Sequence, residues 1–313
     1  MAGAALVRRG GGCGGGVMST GPYRSWLFAP GNHARRVEKA LSLDADAVIL
    51  DLEDAVAVAE KIDTRATVAA ALQGPRSGLG YVRVNAYDTE FCYGDLVAVV
   101  GPGVDGIVVP KIEAADQVRG IDWLVGQLER ERGFEIGAID IMPILETGKG
   151  IANARAIAGA GTRIRRLSFG AGDYAKDMAM NWTRGEAELA HARAEVALAS
   201  RAEGLEAPID TVWIHIKETD GLTRSAETVR DMGYQGKLCI HPDQVGPVNA
   251  VFTPDADAVA FAEKVVAAFD AAEAQGLASI QVDGYFVDYP IVDQARRRLA
   301  LMRAIKAKGK TKG

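Results

Sequence analysis

Six side chains in the 313-residue sequence could do chemistry together: Asp51, Glu53, Asp54, Glu146, Asp173 and Arg83. Each lies at or just beyond the end of a short apolar run, in VILDLED, YVRVN, MPILE and LSFGAGD. Acids gathered in a partly enclosed place repel one another unless a cation sits among them. Two carboxylates, with waters and substrate oxygens completing the shell, are the usual way a protein holds Mg2+. Glu146 and Asp173 follow consecutive runs and are the pair best placed to do so. A local role is the alternative, because carboxylates also suit helix N-termini. Arg83 admits two readings as well. Its planar guanidinium can clamp a substrate carboxylate through two parallel hydrogen bonds, or it can pair with a neighbouring acid.

Glycines at Gly31 and at residues 170–172 permit close backbone approach, and helix starts there could hold phosphate. Neither stretch has the GxGxxG or GxxxxGK[ST] spacing, so a nucleotide motif is unsupported. His241, in CIHPDQV, is either a site residue or part of a structural His-Pro turn. His215 points either into the core or up at the site, His33 is near the rim, and His191 lies within a helical stretch. No Ser/His/Asp or Cys/His constellation can be assembled, because no serine or cysteine sits in a nucleophile elbow.

The elements that must position these groups alternate along the chain. Apolar runs at 25–29, 47–52, 81–85, 106–110, 139–145, 166–169, 212–216 and 237–240 read as strands. Helical-period stretches lie between them, at 34–43, 61–72, 115–131, 150–160, 185–203 and 221–232. The runs are continuously apolar rather than alternating, as in parallel strands covered on both faces. Eight such units predict a (β/α)8 TIM barrel, with a doubly wound open sheet as the runner-up. In a barrel the candidate residues fall at the carboxyl ends of the strands, where the active site lies. Gly172, Ile240 and His241 share that rim and are further candidates for touching substrate. Beyond the barrel the chain continues with a helix at 255–275, a short segment at 279–290 and a basic helix from Ile291. The expected division is 1–20 as a disordered N-terminal extension, 21–250 as the barrel and 251–313 as a C-terminal helical extension.

Charge is unevenly spread. The chain carries 36 Lys and Arg against 41 Asp and Glu, yet residues 1–37 and 296–312 contain no acid at all. The body, 38–295, is therefore strongly acidic, with a net charge of −18. A nucleic-acid-binding body needs a basic stripe, so that class is disfavoured. No apolar stretch approaches the length of a membrane span. Cys13, Cys92 and Cys239 are scattered and form no CxxC, which argues against a disulfide scaffold and suits the reducing cytoplasm. The glycine-rich first 20 residues cannot bury enough apolar surface to order themselves. Only if they act as a transit peptide does the mitochondrial matrix become the expected compartment.

Eight motifs in order carry a resemblance: RSWLFAPGN (24–32), DAVILDLEDAV (46–56), YVRVNAYDTEFCYGDL (81–96), GIVVPKIE (106–113), ILETGKGI (144–151), LSFGAGDYAKDMAM (167–180), GKLCIHPDQV (236–245) and GYFVDYPIVDQA (284–295). The chain resembles the citrate lyase β-subunit-like CoA-ester lyases of the HpcH/HpaI aldolase superfamily, most closely their malyl-CoA and β-methylmalyl-CoA lyase branch. That resemblance implies Mg2+, with Mn2+ as a substitute, at Glu146 and Asp173. It implies that Arg83 holds the carboxylate or keto-acid end of the substrate, and that Phe28 and Lys39 line a rim for CoA, which enters as part of the substrate. Asp288 matches an aspartate that enters the neighbouring subunit's site in a homotrimer or homohexamer, where it acts as acid or base. The extension at 251–313 would then be a lid exchanged between subunits, its basic helix seating that segment or approaching the CoA phosphates. Asp51, Glu53 and Asp54 would order metal-bound waters. Two departures stand out: His33 replaces an arginine of the malyl-CoA lyase-like chains, and the segment after Asp173 is shorter than theirs. The expected reaction is Mg2+-dependent cleavage or formation of a malyl-, β-methylmalyl- or citramalyl-CoA-like thioester, giving an acyl-CoA and a 2-oxo acid. A malyl-CoA thioesterase, a metal-dependent aldolase acting on free 2-oxo acids and a non-catalytic subunit are the alternatives.

Overall fold

The computed structural model describes residues 21–310. The extension at 1–20, expected to be disordered, lies outside the described residues. Eight parallel strands close into a barrel: β1 (Ser25–Pro30), β2 (Ala47–Asp51), β3 (Leu79–Arg83), β4 (Gly106–Val109), β5 (Asp140–Leu145), β6 (Ser168–Phe169), β7 (Ile209–Asp210) and β8 (Gly236–Cys239). Each pairs with the next, and β8 returns to β1 with Leu238 opposite Trp26. Outside them lie α1 (Ala34–Ser42), α2 (Lys61–Ala71), α3 (Cys92–Val99), α4 (Ala115–Glu131), α5 (Gly148–Ala152), α6 (Ala154–Ala158), α7 (Ala171–Asp177), α8 (Ala190–Ala202), α9 (Thr219–Asp231) and α10 (Val245–Phe252). The fold is a (β/α)8 TIM barrel with C-terminal helices.

Both faces of the strands are buried, which is why the sequence shows apolar runs. On the inner face Trp26, Ile49, Tyr81, Val108, Met142, Ile144, Ile209 and Leu238 form one cluster. The alternate residues, Leu27, Val48, Leu50, Val82, Ile107, Val109 and Ile141 among them, pack under the helices. Since side chains alternate along a strand, inward residues two further on reach the carboxyl-end mouth. Phe28, Asp51, Arg83, Glu146, Gly170 and Ile240 all carry that inward parity.

Strand seven differs from expectation. It is Ile209–Asp210, and the run VWIHI at 212–216 belongs to the connection leading to α9. Asp210 explains why the sequence signal moved. It is fully buried and pairs with Lys237 of β8 and with Arg193 of α8, at 2.9 Å for the latter. A charged cluster thus replaces the apolar outer face that marks the other strands. The run at 212–216 is apolar for a different reason, since Trp213 is buried and His215 stacks edge-on against it at 5.4 Å. His215 is therefore a loop residue. The helix expected at 150–160 is two short ones, broken at Asn153, whose side chain donates to the Glu113 carbonyl at 2.8 Å.

After the barrel come α11 (Ala256–Glu273), β9 (Ser279–Val282), β10 (Tyr285–Asp288) and α12 (Tyr289–Lys310). The Asp255 side chain caps α11 by accepting from the Ala258 N–H at 2.6 Å. Its face bearing Ala262, Val265 and Phe269 packs on Val282, Val287 and Val292, a small second core. Asp283 and Gly284, both at positive φ, make the tight turn between β9 and β10. The far end of α12 returns to the amino end of the barrel, where Lys308 donates to Asp46 at 2.6 Å and to the Ala45 carbonyl at 2.8 Å. That basic residue is engaged away from the mouth, and Arg296 is paired with Asp270 of α11.

Candidate active site

The carboxyl ends of the strands surround a cavity of about 330 Å³. Phe28, Asp51, Asp54, Arg83, Glu146, Gly172, Asp173 and Ile240 line it. Lys39 is exposed on α1, and His241 and Asp288 are half-buried; none of the three lines the cavity. His241 instead caps the turn after β8, its Nδ1 accepting from the Asp243 N–H at 3.3 Å.

Asp51 and Arg83 end neighbouring strands in register, and their side chains meet. Arg83 donates from Nε to Asp51 Oδ1 at 2.7 Å and from Nη2 to Oδ2 at 2.6 Å. The same two oxygens accept the N–H groups of Glu53 and Ala55, at 2.9 and 3.1 Å. All four acceptor positions of Asp51 are thus used within the chain, which leaves none to order a water. Burial works to raise its pKa, but Arg83 and the two backbone donors outweigh burial and hold the carboxyl below its usual range. The other face of Arg83 lies over the Phe28 ring at 4.8 Å. Its Nη1 meets Glu53 Oε2 at 2.8 Å. The guanidinium is therefore braced on three sides, and its two-pronged edge is occupied by Asp51 rather than open to a ligand.

Glu53 is buried, and Asp54 beside it is largely exposed. The loop that carries them is locked by Lys61, which donates to the Leu52 carbonyl at 2.9 Å, the Glu53 carbonyl at 2.6 Å and Asn85 Oδ1 at 2.6 Å. Burial, with Asp54 nearby, raises the Glu53 pKa despite Arg83 and Lys111.

Glu146 follows β5 directly. Its Oε1 accepts the Lys111 backbone N–H at 2.8 Å, and it has no ion pair among the described residues. A side chain on Gly170 would come within 2.5 Å of Glu146 Oε2, so glycine is required at that crossing. Burial pushes the Glu146 carboxyl up to about 8, outweighing the attraction of Arg83 and Lys111, while Glu53 and Asp173 repel its charged form. Asp173 projects from the first turn of α7 and is partly exposed to the cavity. A buried carboxylate with no cation partner, opening on the same space as a second carboxylate, fits a hard divalent ion taken from water. Among the described residues no group of three or more His, Cys, Asp and Glu forms a ready-made cage.

The sequence reading singled out neither Lys111 nor Lys61 as a functional residue. Lys111 sits at φ 53°, an uncommon backbone region for a residue with a side chain. Its ammonium contacts Glu53, and lies 3.7 Å from Asp54 and 3.3 Å from Asp173. The available signal was its place directly after strand four, in VVPKIE.

A model of the HpcH/HpaI aldolase/citrate lyase family matches residues 24–242. The chain belongs to that family. It is 35% identical to the citrate lyase subunit β of Leuconostoc mesenteroides subsp. cremoris over 283 residues, covering 90% of this chain and 93% of that protein. It is also 36% identical to a (3S)-malyl-CoA thioesterase of Cereibacter sphaeroides over 290 residues, 92% of this chain and 97% of the relative. Among solved structures it is similar to CitE from Mycobacterium tuberculosis in complex with magnesium, acetoacetate and coenzyme A. That match has a TM-score of 0.72 at 27% identity and covers 91% of this chain and 98% of the other. The family member described here is an enzyme of the lyase class, a citrate lyase β-like protein. No helix among its described residues is long and apolar enough to cross a membrane.

Proposed function

We propose that this chain is a Mg2+-dependent carbon–carbon lyase. Its substrate is a short 3-hydroxy-acid CoA thioester of the malyl-, β-methylmalyl- or citramalyl-CoA type, and its products are an acyl-CoA and a 2-oxo acid. One observation carries the reading: Glu146 is buried without a cation partner and faces Asp173 and Arg83 across one cavity. Glu146 and Asp173 are the residues that would hold Mg2+, or Mn2+ in its place. When bound, the ion supplies electrostatic stabilisation of the oxygen on which charge develops as the carbon–carbon bond breaks.

The chain's own residues supply the rest. Arg83 places a fixed positive charge beside the substrate's carboxylate end, and its bracing by Asp51 and Phe28 means that little reorganisation is needed on binding. Loss of the hydroxyl proton and rupture of the bond leave a 2-oxo acid and the enolate of the acyl thioester. That enolate carbon must take a proton, and Asp288 is the acid we assign. The Asp288 side chain makes no hydrogen bond or ion pair among the described residues, and it sits on a hairpin with Tyr285 and Phe286 exposed. Both features support its delivery to the mouth of a second copy in a homotrimer or homohexamer, with residues 251–313 as the exchanged element. Phe28, Gly172 and Ile240 line the approach available to the thioester, with Lys39 and His241 further out on the rim. The buried free cysteines Cys92 and Cys239 suit action in the reducing cytoplasm.

The thioesterase relatives favour one second reading, in which water enters the same site and hydrolyses malyl-CoA. A screen of short 3-hydroxyacyl-CoA thioesters with Mg2+, scoring 2-oxo acid and free CoA, separates the two. We expect 2-oxo acid in step with acyl-CoA, abolished by EDTA. Free hydroxy acid and CoA instead would assign the thioesterase. In the same assay, mixing Asp288→Ala chains with Glu146→Gln chains restores turnover if Asp288 acts across the interface. No restoration after subunit exchange excludes the trans role.

A further inference from the structure

The mouth holds five acids, and only Arg83 and Lys111 pair with them among the described residues. The two cations are used differently. Arg83 is clamped by Asp51 and stacked on Phe28, so it cannot move without losing several contacts at once. Lys111 is about one-third exposed and touches acids on both sides of the cavity: Glu53 and Asp54 on one, Asp173 on the other. It is the one side chain among the described residues that forms an ion pair with Asp173. Its main chain meanwhile holds Glu146, through the N–H bond at 2.8 Å that its left-handed backbone directs there.

We propose that Lys111 is a displaceable internal counter-ion of the cation site. Its ammonium occupies Asp173 until a divalent cation takes that carboxylate, and then withdraws onto Glu53 and Asp54. This rests on the reading of Glu146 and Asp173 as the cation ligands. The displacement requires only rotation about the side chain's terminal bonds, because Nζ already contacts Glu53. An ammonium that can leave Asp173 and remain paired is what separates a counter-ion from a fixed salt bridge. Cation binding is then a competition, and the site binds its metal less tightly than its carboxylates alone would. In the empty site the same ammonium limits the repulsion between Asp173 and the loop acids.

Mn2+ titrations of the full chain, read by the electron paramagnetic resonance of the free ion at low salt, test this without measuring turnover. Lys111→Met and Lys111→Gly both remove the ammonium, and the glycine also relaxes the left-handed backbone while keeping the N–H to Glu146. Both variants are expected to bind Mn2+ on the order of tenfold more tightly than the parent. Lys111→Arg should return affinity toward the parent value. Unchanged or weaker binding in both Met and Gly variants overturns the proposal. Tighter binding in the glycine variant alone also overturns it, since backbone relief would then be the cause. Asp173→Asn tests the underlying reading separately: parent-like Mn2+ binding there means that the cation ligands themselves are misassigned.

Discussion

Strand β5 carries a carboxylate at each end, and the two live under opposite rules. Asp140, at the amino end, accepts from Arg166 Nη1 at 2.5 Å and from the Tyr81 hydroxyl at 2.8 Å. Arg166 also meets Glu206 at 2.8 Å and stacks on Tyr23 at 4.2 Å. Glu146, at the carboxyl end, receives one backbone N–H and no cation. The contrast extends around the barrel. Away from the mouth, the buried acids Asp46, Asp140 and Asp210 are each answered by a directly contacting Arg or Lys. At the mouth five acids share two cations. Balanced charge specifies a structure, because each of these buried acids has its counter-charge inside the chain. Unbalanced charge leaves work for a ligand. The acidic body of the sequence is therefore partly a functional excess rather than a solvated surface.

Neutralising Glu146 is the largest test of that contrast. Glu146→Gln should lower kcat/KM by about a hundred- to a thousandfold, as removal of an electrostatic stabiliser does, with circular dichroism unchanged. It should also stabilise the metal-free protein above neutral pH. A glutamate raised from 4.5 to about 8 binds a proton in the folded chain that the unfolded chain has released. Stability of the parent chain consequently falls as pH rises from about 4.5 to about 8, and the loss is complete above that. The penalty is on the order of 5 kcal/mol, and the glutamine lacks it. Denaturant titrations in EDTA at pH 5.5 and 8.5 check the sign. If the parent chain is no less stable at the higher pH, Glu146 is compensated after all and the contrast between the two ends fails.

Arg166→Met should behave in the opposite way. It strands Asp140 inside the barrel, and breaking a buried pair typically costs about 3–5 kcal/mol. Activity per folded molecule should be retained, since the residue is at the far end of the barrel from the cavity. Urea titration and active-site-normalised turnover at low temperature separate the two effects. A variant as stable as its parent, or one folded but inactive, would show that the lower network is not simply structural.

The two ends also differed in how far they could be read from sequence. The barrel was legible because strands buried on both faces leave continuous apolar runs. Strand seven was displaced where that logic breaks, at the buried Asp210–Lys237–Arg193 cluster. The rim acids were legible as a group, because each directly follows a strand. Their partners were not. That Asp51 takes the fork of Arg83 depends on the β2–β3 register, in which the two residues stand opposite each other. That Lys111 reaches Asp173 depends on the approach of β4 to α7. Neither fact is local in sequence. The Asp283-Gly284 turn, in contrast, was a local hairpin signal in a stretch read as a short segment between two helices, with no strands assigned to it.

The subtlest test concerns the one mouth residue that is braced like those at the other end. Arg83 owes its orientation to Asp51 on one edge and to the Phe28 ring beneath its plane. Phe28→Leu keeps an apolar side chain there but removes the aromatic face, whose attraction for a guanidinium amounts to about 0.5–1 kcal/mol at a partly exposed site. A roughly threefold rise in KM is expected, with kcat and stability little changed. The direction of the loss matters more than its size. If Phe28 acts through Arg83, calorimetry should show weaker binding of a 2-oxo acid and unaltered binding of free CoA. The reverse pattern would make Phe28 a contact for the thioester's CoA portion, and Asp51 and Glu53 would then hold the arginine in place. In that case the brace at the mouth is ion pairing alone, the same device that secures the rest of the barrel, and the mouth differs from the other end only in its surplus of acids.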